Sequence, residues 1–144
     1  MSRIGPTVAA LLMAMAFIVA PAGAATAITS ADGFACAVAY KANQHQGDFI
    51  IEPRFTAELT VTNTGTVTIN GWTLTFPMDQ GVEIIKMWGA MPESRRGLIT
   101  AHNVPENRVV EPGRSVDVEF LARGIAGRPP EEFTVNGVRC TVAR

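Results

Sequence analysis

Residues 55–62, Phe-Thr-Ala-Glu-Leu-Thr-Val-Thr, alternate apolar and polar without a break. Successive side chains of an extended chain point to opposite faces. This period of two therefore describes a strand with Phe55, Ala57, Leu59 and Val61 on one side and threonine and glutamate on the other. Asn63-Thr64-Gly65 closes it as a turn. The pattern returns in Trp72-Thr73-Leu74-Thr75-Phe76, and in Val116-Asp117-Val118-Glu119-Phe120 after the turn signal Glu111-Pro112-Gly113. Cys36, Val38 and Tyr40 share one face of an opening strand, and Phe133-Thr134-Val135 and Val138–Val142 flank the hairpin dipeptide Asn136-Gly137. No segment sustains a 3.6-residue apolar period. Short, regularly spaced strands with Gly, Pro and Asn turns predict an all-β fold, a single antiparallel β-sandwich of the immunoglobulin-like or jelly-roll-like kind. There is no internal repeat, linker or low-complexity segment.

Two cysteines, Cys36 and Cys140, bracket this pattern, and no other cysteine competes with them. If they pair, the bridge constrains the unfolded chain over roughly 100 residues, about 4.7 kcal/mol in the chain-entropy treatment. Such a bond persists in an oxidising compartment. The chain start agrees with one. Arg3 is the only charge in residues 1–24, Val8–Ala20 is an unbroken apolar run ended by Pro21, and Ala22-Gly23-Ala24 fits a small-x-small cleavage site. Residues 1–24 read as a secretory signal peptide, since the apolar run is shorter than the about 20 residues a membrane span needs. A second cleavage option follows Ala27. The remaining 120 residues suffice for one domain, placed at 34–142, in a secreted, extracellular protein.

The chain carries 12 basic and 13 acidic side chains, and removing Arg3 leaves 11 against 13. That balance excludes nucleic acid and anionic membrane as partners, because both require a basic footprint. Catalytic constellations are absent from the pattern. Asp117 and Glu119 sit two apart on one strand and point the same way, as the carboxyl pair of a glycosidase must. The alternation makes them solvated charges on an outer face. Glu131-Glu132 follows Pro129-Pro130 in a loop. His45 and His102 are the only histidines and have no metal-ligand spacing. No phosphate loop or Ser-His-Asp context is present. The expectation is a non-enzyme without cofactor or metal.

The tryptophans separate. Trp72 heads an inward row with Leu74 and Phe76, which makes it a core residue. Trp88 follows Val82–Met87, where the alternation blurs, and precedes Gly89-Ala90-Met91-Pro92, read as a loop. A large aromatic at such a junction lies at the surface, and exposed apolar patches mark recognition sites.

The series Cys36-Ala-Val38-Ala-Tyr40, Asn43-Gln44, residues 55–65 ending Asn63-Thr64-Gly65, Ile69-Asn70-Gly71-Trp72, Trp88, Asn103, Asn107, Pro112-Gly113 and Phe133-Thr134-Val135-Asn136-Gly137-Val-Arg-Cys140 resembles the family 2 carbohydrate-binding modules. These are the bacterial-type cellulose-binding domains of secreted glycoside hydrolases. The resemblance implies a β-sandwich with its terminal cysteines, Cys36 and Cys140, bridged. It also implies a face with three surface tryptophans stacked on pyranose rings, whose C–H faces are apolar and whose hydroxyls meet polar side chains.

Trp88 stands at the second of those positions. The third, in N-x-x-W-N, reads Asn103-Val104-Pro105-Glu106-Asn107, so Glu106 replaces the ring. The first, in N-Q-W, reads Asn43-Gln44-His45 followed by roughly five extra residues. His45 or Phe49 stands there. Gly89 replaces the asparagine that commonly follows the second ring. The resemblance thus implies a ligand face of Trp88, Asn43, Gln44, Phe49, Asn103 and Asn107. Its partner is a polysaccharide: cellulose, chitin or cell-wall glycan. Two lost tryptophans weaken binding roughly 30- to 1000-fold at about 1–2 kcal/mol each. The alternative is a secreted protein-interaction or adhesion domain in which Trp88, Met87 and Met91 form an apolar patch for a protein partner. Either way a monomer is expected.

Overall fold

The computed structural model describes residues 33–45 and 52–143. The signal-peptide reading of residues 1–24 and the position of Phe49 lie outside them. Along the chain run β1 (Cys36–Gln44), β2 (Arg54–Asn63), β3 (Ile69–Asn70), β4 (Thr73–Pro77), β5 (Glu83–Trp88), β6 (Ala90–Pro92), β7 (Leu98–Asn103), β8 (Val109–Val110), β9 (Ser115–Arg123), β10 (Thr134–Val135), β11 (Val138–Arg139) and β12 (Thr141–Ala143), with a 3-10 turn at Pro105–Asn107. They form two five-stranded sheets, β12-β1-β2-β9-β5 and β11-β10-β4-β7-β6, and a small β3-β8 ribbon.

The inward rows read from the alternation make the core. Phe55, Ala57, Leu59 and Val61 of β2, Leu74 and Phe76 of β4, and Val118 and Phe120 of β9 are all buried. Phe76 stacks on Phe120 at 6.0 Å and packs on Phe133 at 5.5 Å, while Phe55 meets Phe120 edge-on at 6.1 Å. These rings join the two sheets, the arrangement by which a sandwich buries both inner faces. Trp72 is buried just ahead of β4. Among the described residues one polar side chain joins the core: Asn63 donates to the carbonyls of Val67 and Val110 and accepts from Gly65 N–H, so its burial leaves no amide atom unpaired.

Two expected boundaries differ. Val138–Val142 does not continue as one strand. The chain leaves the β10-β11 hairpin at Cys140, and β12 crosses to the other sheet, where it pairs parallel with β1 through Ala37↔Thr141 and Val38↔Val142. The cause is Cys140 itself, which bonds Cys36 with Cα atoms 4.6 Å apart and so brings the last strand beside the first. The segment 89–92, expected as a loop, is a corner at Gly89 followed by β6 on the edge of the second sheet.

Candidate functional site

The local shape around Trp88 follows from one extra residue. β5 pairs with β9 through Ile84↔Ala122 and then Lys86↔Leu121, leaving Ile85 as a bulge. Val82 and Ile84 are buried. Strict alternation would send Lys86 and Trp88 inward after them. The bulge reverses the phase. Met87 packs against the core opposite Phe120, and Trp88 faces outward opposite Glu119, 42% exposed. The blurred alternation of residues 82–87 is the sequence trace of this bulge.

Gly89 then turns the chain from one sheet to the other. Its φ is +75°, and a Cβ there would stand 2.2 Å from the Asp117 carbonyl oxygen, so the corner lies closer to β9 than any side chain permits. The 3-10 turn Pro105–Asn107 braces the corner. Asn107 Nδ2 donates to the Gly89 carbonyl at 2.6 Å, and its Oδ1 accepts from Val104 N–H at 3.0 Å. The Asn107 carbonyl accepts from the buried Trp72 indole N–H at 2.9 Å, and Asn103 Oδ1 accepts from Trp72 backbone N–H at 2.9 Å. The two tryptophans are thus linked, one in the core and one on the surface, through Asn107.

On the outer face of the first sheet the cross-strand rows are Lys41–Glu58–Glu119–Trp88, Asn43–Thr56–Leu121–Lys86 and Ala39–Thr60–Asp117. Trp88 and Gly89 form one wall of a depression of about 380 Å³, and Glu58, Thr60, Asp117 and Glu119 line the rest with the Leu59 and Val118 backbone between them. Asp117 accepts from the Thr60 hydroxyl at 2.8 Å. The Lys86 ammonium lies 4.8 Å from the centre of the Trp88 ring, a cation–π contact.

The structure distributes the expected ligand residues as follows. Trp88 and Asn107 meet at the Gly89 corner, with Asn103 bonded one turn behind. Asn43 shares the outer face but stands on β1, three strands from β5, about 14 Å away at the usual strand spacing. Gln44 binds backbone at the end of the sandwich, its amide donating to the Arg54 carbonyl and accepting from Ala126 N–H, each at 2.8 Å. Glu106 is exposed on the 3-10 turn. His102 lies on the outer face of the other sheet, bonded to Thr73 and Glu93, and among the described residues no group of histidine, cysteine and carboxylate side chains is arranged to hold a metal ion. Met91, 53% exposed, faces outward from that other sheet opposite His102, so it and the inward Met87 do not form one patch with Trp88. The sequence reading passed over Glu58, Thr60 and Lys86. Their outward phase was visible, but the strand order that sets them beside Trp88 was not.

Comparison with known proteins supplies what the geometry leaves open. The profile of the family described as "Cellulose binding domain" matches residues 36–140. The chain belongs to this family. Its members are non-catalytic carbohydrate-binding modules that accompany separate catalytic domains. Exoglucanase B of Cellulomonas fimi is 38% identical over 127 residues, which is 85% of this chain and 11% of that protein. Chitinase 63 of Streptomyces plicatus is 31% identical over 60% of this chain and 14% of its own length. The chain therefore spans about a tenth to a seventh of these relatives. Among solved structures, the chitin-binding domain of Chi18aC from Streptomyces coelicolor is similar with a TM-score of 0.58 and 26% identity, over 74% of this chain and 94% of that one.

Proposed function

We propose that this chain is a secreted polysaccharide-binding module whose contact face is the outer face of the β12-β1-β2-β9-β5 sheet, with the Trp88 ring as its stacking surface. The observation that carries this is the outward set of Trp88. A bulge and a glycine corner hold a large indole in water, where a core-directed phase would have buried it. A pyranose presents a C–H face that such a ring covers, and the hydroxyls around it meet the flanking polar side chains. Asn107 and Asn103 act by fixing the corner, and Asn43 extends the face toward β1. The relatives named for glucanase and chitinase activities support cellulose and chitin as the polymers to try. With one tryptophan in place of three, binding is weak beside that of a face with all three.

The test is retention of the purified protein on microcrystalline cellulose, chitin and peptidoglycan, with Trp88→Ala alongside. Retention on a polymer, lost by at least tenfold in the variant while its thermal midpoint is unchanged, is the expected result. Failure of every polymer to retain the protein would refute the reading.

A further inference from the structure

We propose that the Trp88 face is specific for an amine-bearing polysaccharide, a glucosamine polymer with free ammonium groups; this rests on the reading of Trp88 as a sugar-stacking ring. Three observations carry it. The first is which acids lack partners. Elsewhere on the surface Glu52 pairs with Arg54 and Arg123, Glu83 with Arg96 and Arg123, Glu93 with His102, and Glu132 with Arg139. Among the described residues Glu58, Asp117 and Glu119 form no ion pair, and neither do Asp79, Glu106, Glu111 and Glu131; what sets the three apart is that they gather in one depression beside the Trp88 ring, with Lys41 opposite Glu58 on β1 as the nearest cross-strand cation. Glu58 and Glu119 stand directly opposite each other on β2 and β9, a like-charge arrangement that destabilises a sheet. The one side-chain hydrogen bond among the three, from Thr60 to Asp117, comes from a neutral hydroxyl, so with Lys41 and Lys86 on the same face the three carboxylates keep a net excess of one negative charge.

The second observation is the cation already present. The Lys86 ammonium lies over the Trp88 ring at 4.8 Å. It is an internal example of the group the ring attracts, since the negative face of an indole draws a cation. A ligand ammonium can take the same place or the space beside it, between the ring and the carboxylates.

The third is geometric. These carboxylates are not among any group arranged to hold a metal ion in the described residues. They lie along a depression of about 380 Å³ with the ring on its other side, a volume within the small-ligand range. The matching ligand offers an apolar ring face for the indole and a positive charge for the acids, which is what a glucosamine unit carries. A neutral glucan stacks on Trp88 equally well and offers hydroxyls to the carboxylates, but it brings no positive charge to offset theirs.

The experiment is calorimetric titration with three soluble hexamers, of glucosamine, of N-acetylglucosamine and of glucose in β-1,4 linkage, at pH 5.5 in about 20 mM and about 500 mM salt, with a lysine hexamer as a further probe. The glucosamine hexamer is expected to bind about tenfold more tightly than the neutral hexamers at low salt, and to lose that margin at high salt, where exposed charges are screened. In the Glu58→Gln/Asp117→Asn/Glu119→Gln variant the ratio of glucosamine to neutral affinity falls to about one. That variant removes a repulsion and is expected to melt no lower than the parent. Trp88→Ala loses all three sugars.

Equal affinities for charged and neutral hexamers, unaltered in the triple variant, would overturn the inference and leave the Trp88 reading standing. Glucosamine binding that survives Trp88→Ala and is matched by the lysine hexamer would also overturn it, showing a general cation-attracting surface. No binding to any hexamer would overturn both.

Discussion

Asn107 touches no ligand in the arrangement described, yet it bears on every property of the site. Its amide joins the Gly89 corner to Val104, and its carbonyl holds the Trp72 indole. Asn107→Ala removes the first two bonds and leaves a partly buried carbonyl and N–H without partners. It is expected to cost about 1–3 kcal/mol in urea denaturation and to weaken polysaccharide retention severalfold, although the Trp88 ring is intact. Asparagines of this kind limit what a sequence reveals. Asn103, Asn107 and Gln44 carry the motif of a binding face, and their amides are committed to backbone groups. The motif looks the same in either case, because the identity of a hydrogen-bond partner 18 or 82 residues away is not written locally.

Tyr40 is the residue with a pH signature. Burial and, secondarily, Asp79 push its phenol up from 10.0 to about 12. The folded state therefore disfavours the phenolate, and the stability due to this group is complete below pH 10 and lost as pH rises from 10 toward 12. The thermal midpoint should fall across that window more steeply in the parent than in Tyr40→Phe.

The β5-Gly89-β6 element shows where strand patterns are readable and where they fail. β2 and β9 are legible because nine consecutive residues pair without interruption, Arg54↔Arg123 to Thr62↔Ser115, so alternation alone gives their inner faces. β5 is not legible in that way. Ile85 shifts its phase, and residue type gives no sign that an isoleucine is the unpaired one. The corner depends on Gly89 for two reasons, a φ of +75° and the Asp117 carbonyl where a Cβ would be. Gly89→Ala forces β5 away from β9. We expect a loss of about 2–4 kcal/mol from strain and lost ladder bonds. The exposed Trp88 indole should also show a shifted fluorescence maximum and reduced polymer binding, even under conditions where the variant remains folded. The break at Cys140 was similarly hidden. A dipeptide such as Asn136-Gly137 fixes a hairpin, but where the returning strand leaves its sheet is decided by a cysteine 104 positions upstream.

At the scale of the whole molecule, the fold class was readable from periodicity and turns because burying one face of each strand is the only use such a pattern has. The pairing of first and last strands was not, since a parallel contact between chain ends leaves no local mark. The bridge that enforces it closes nearly the entire described chain. Cys36→Ser/Cys140→Ser should lower the stability measured in urea by about 4 kcal/mol, with the ladder between β1 and β2 retained and the three residues of β12 the first to lose amide protection. The same closure has a mechanical meaning. Cys36 and Cys140 lie at one edge, where β1 and β12 run side by side in the same direction. Tension applied between Gly33 and Ala143 can peel the backbone bonds of Gly33 and Ala35 to residues 64–66 and the pairing of Thr141–Ala143 before it reaches a covalent bond, and the strands from β2 to β11 stay outside the load path. A domain fastened at one edge in this way can hold a surface against a steady pull without its sheets ever bearing the force.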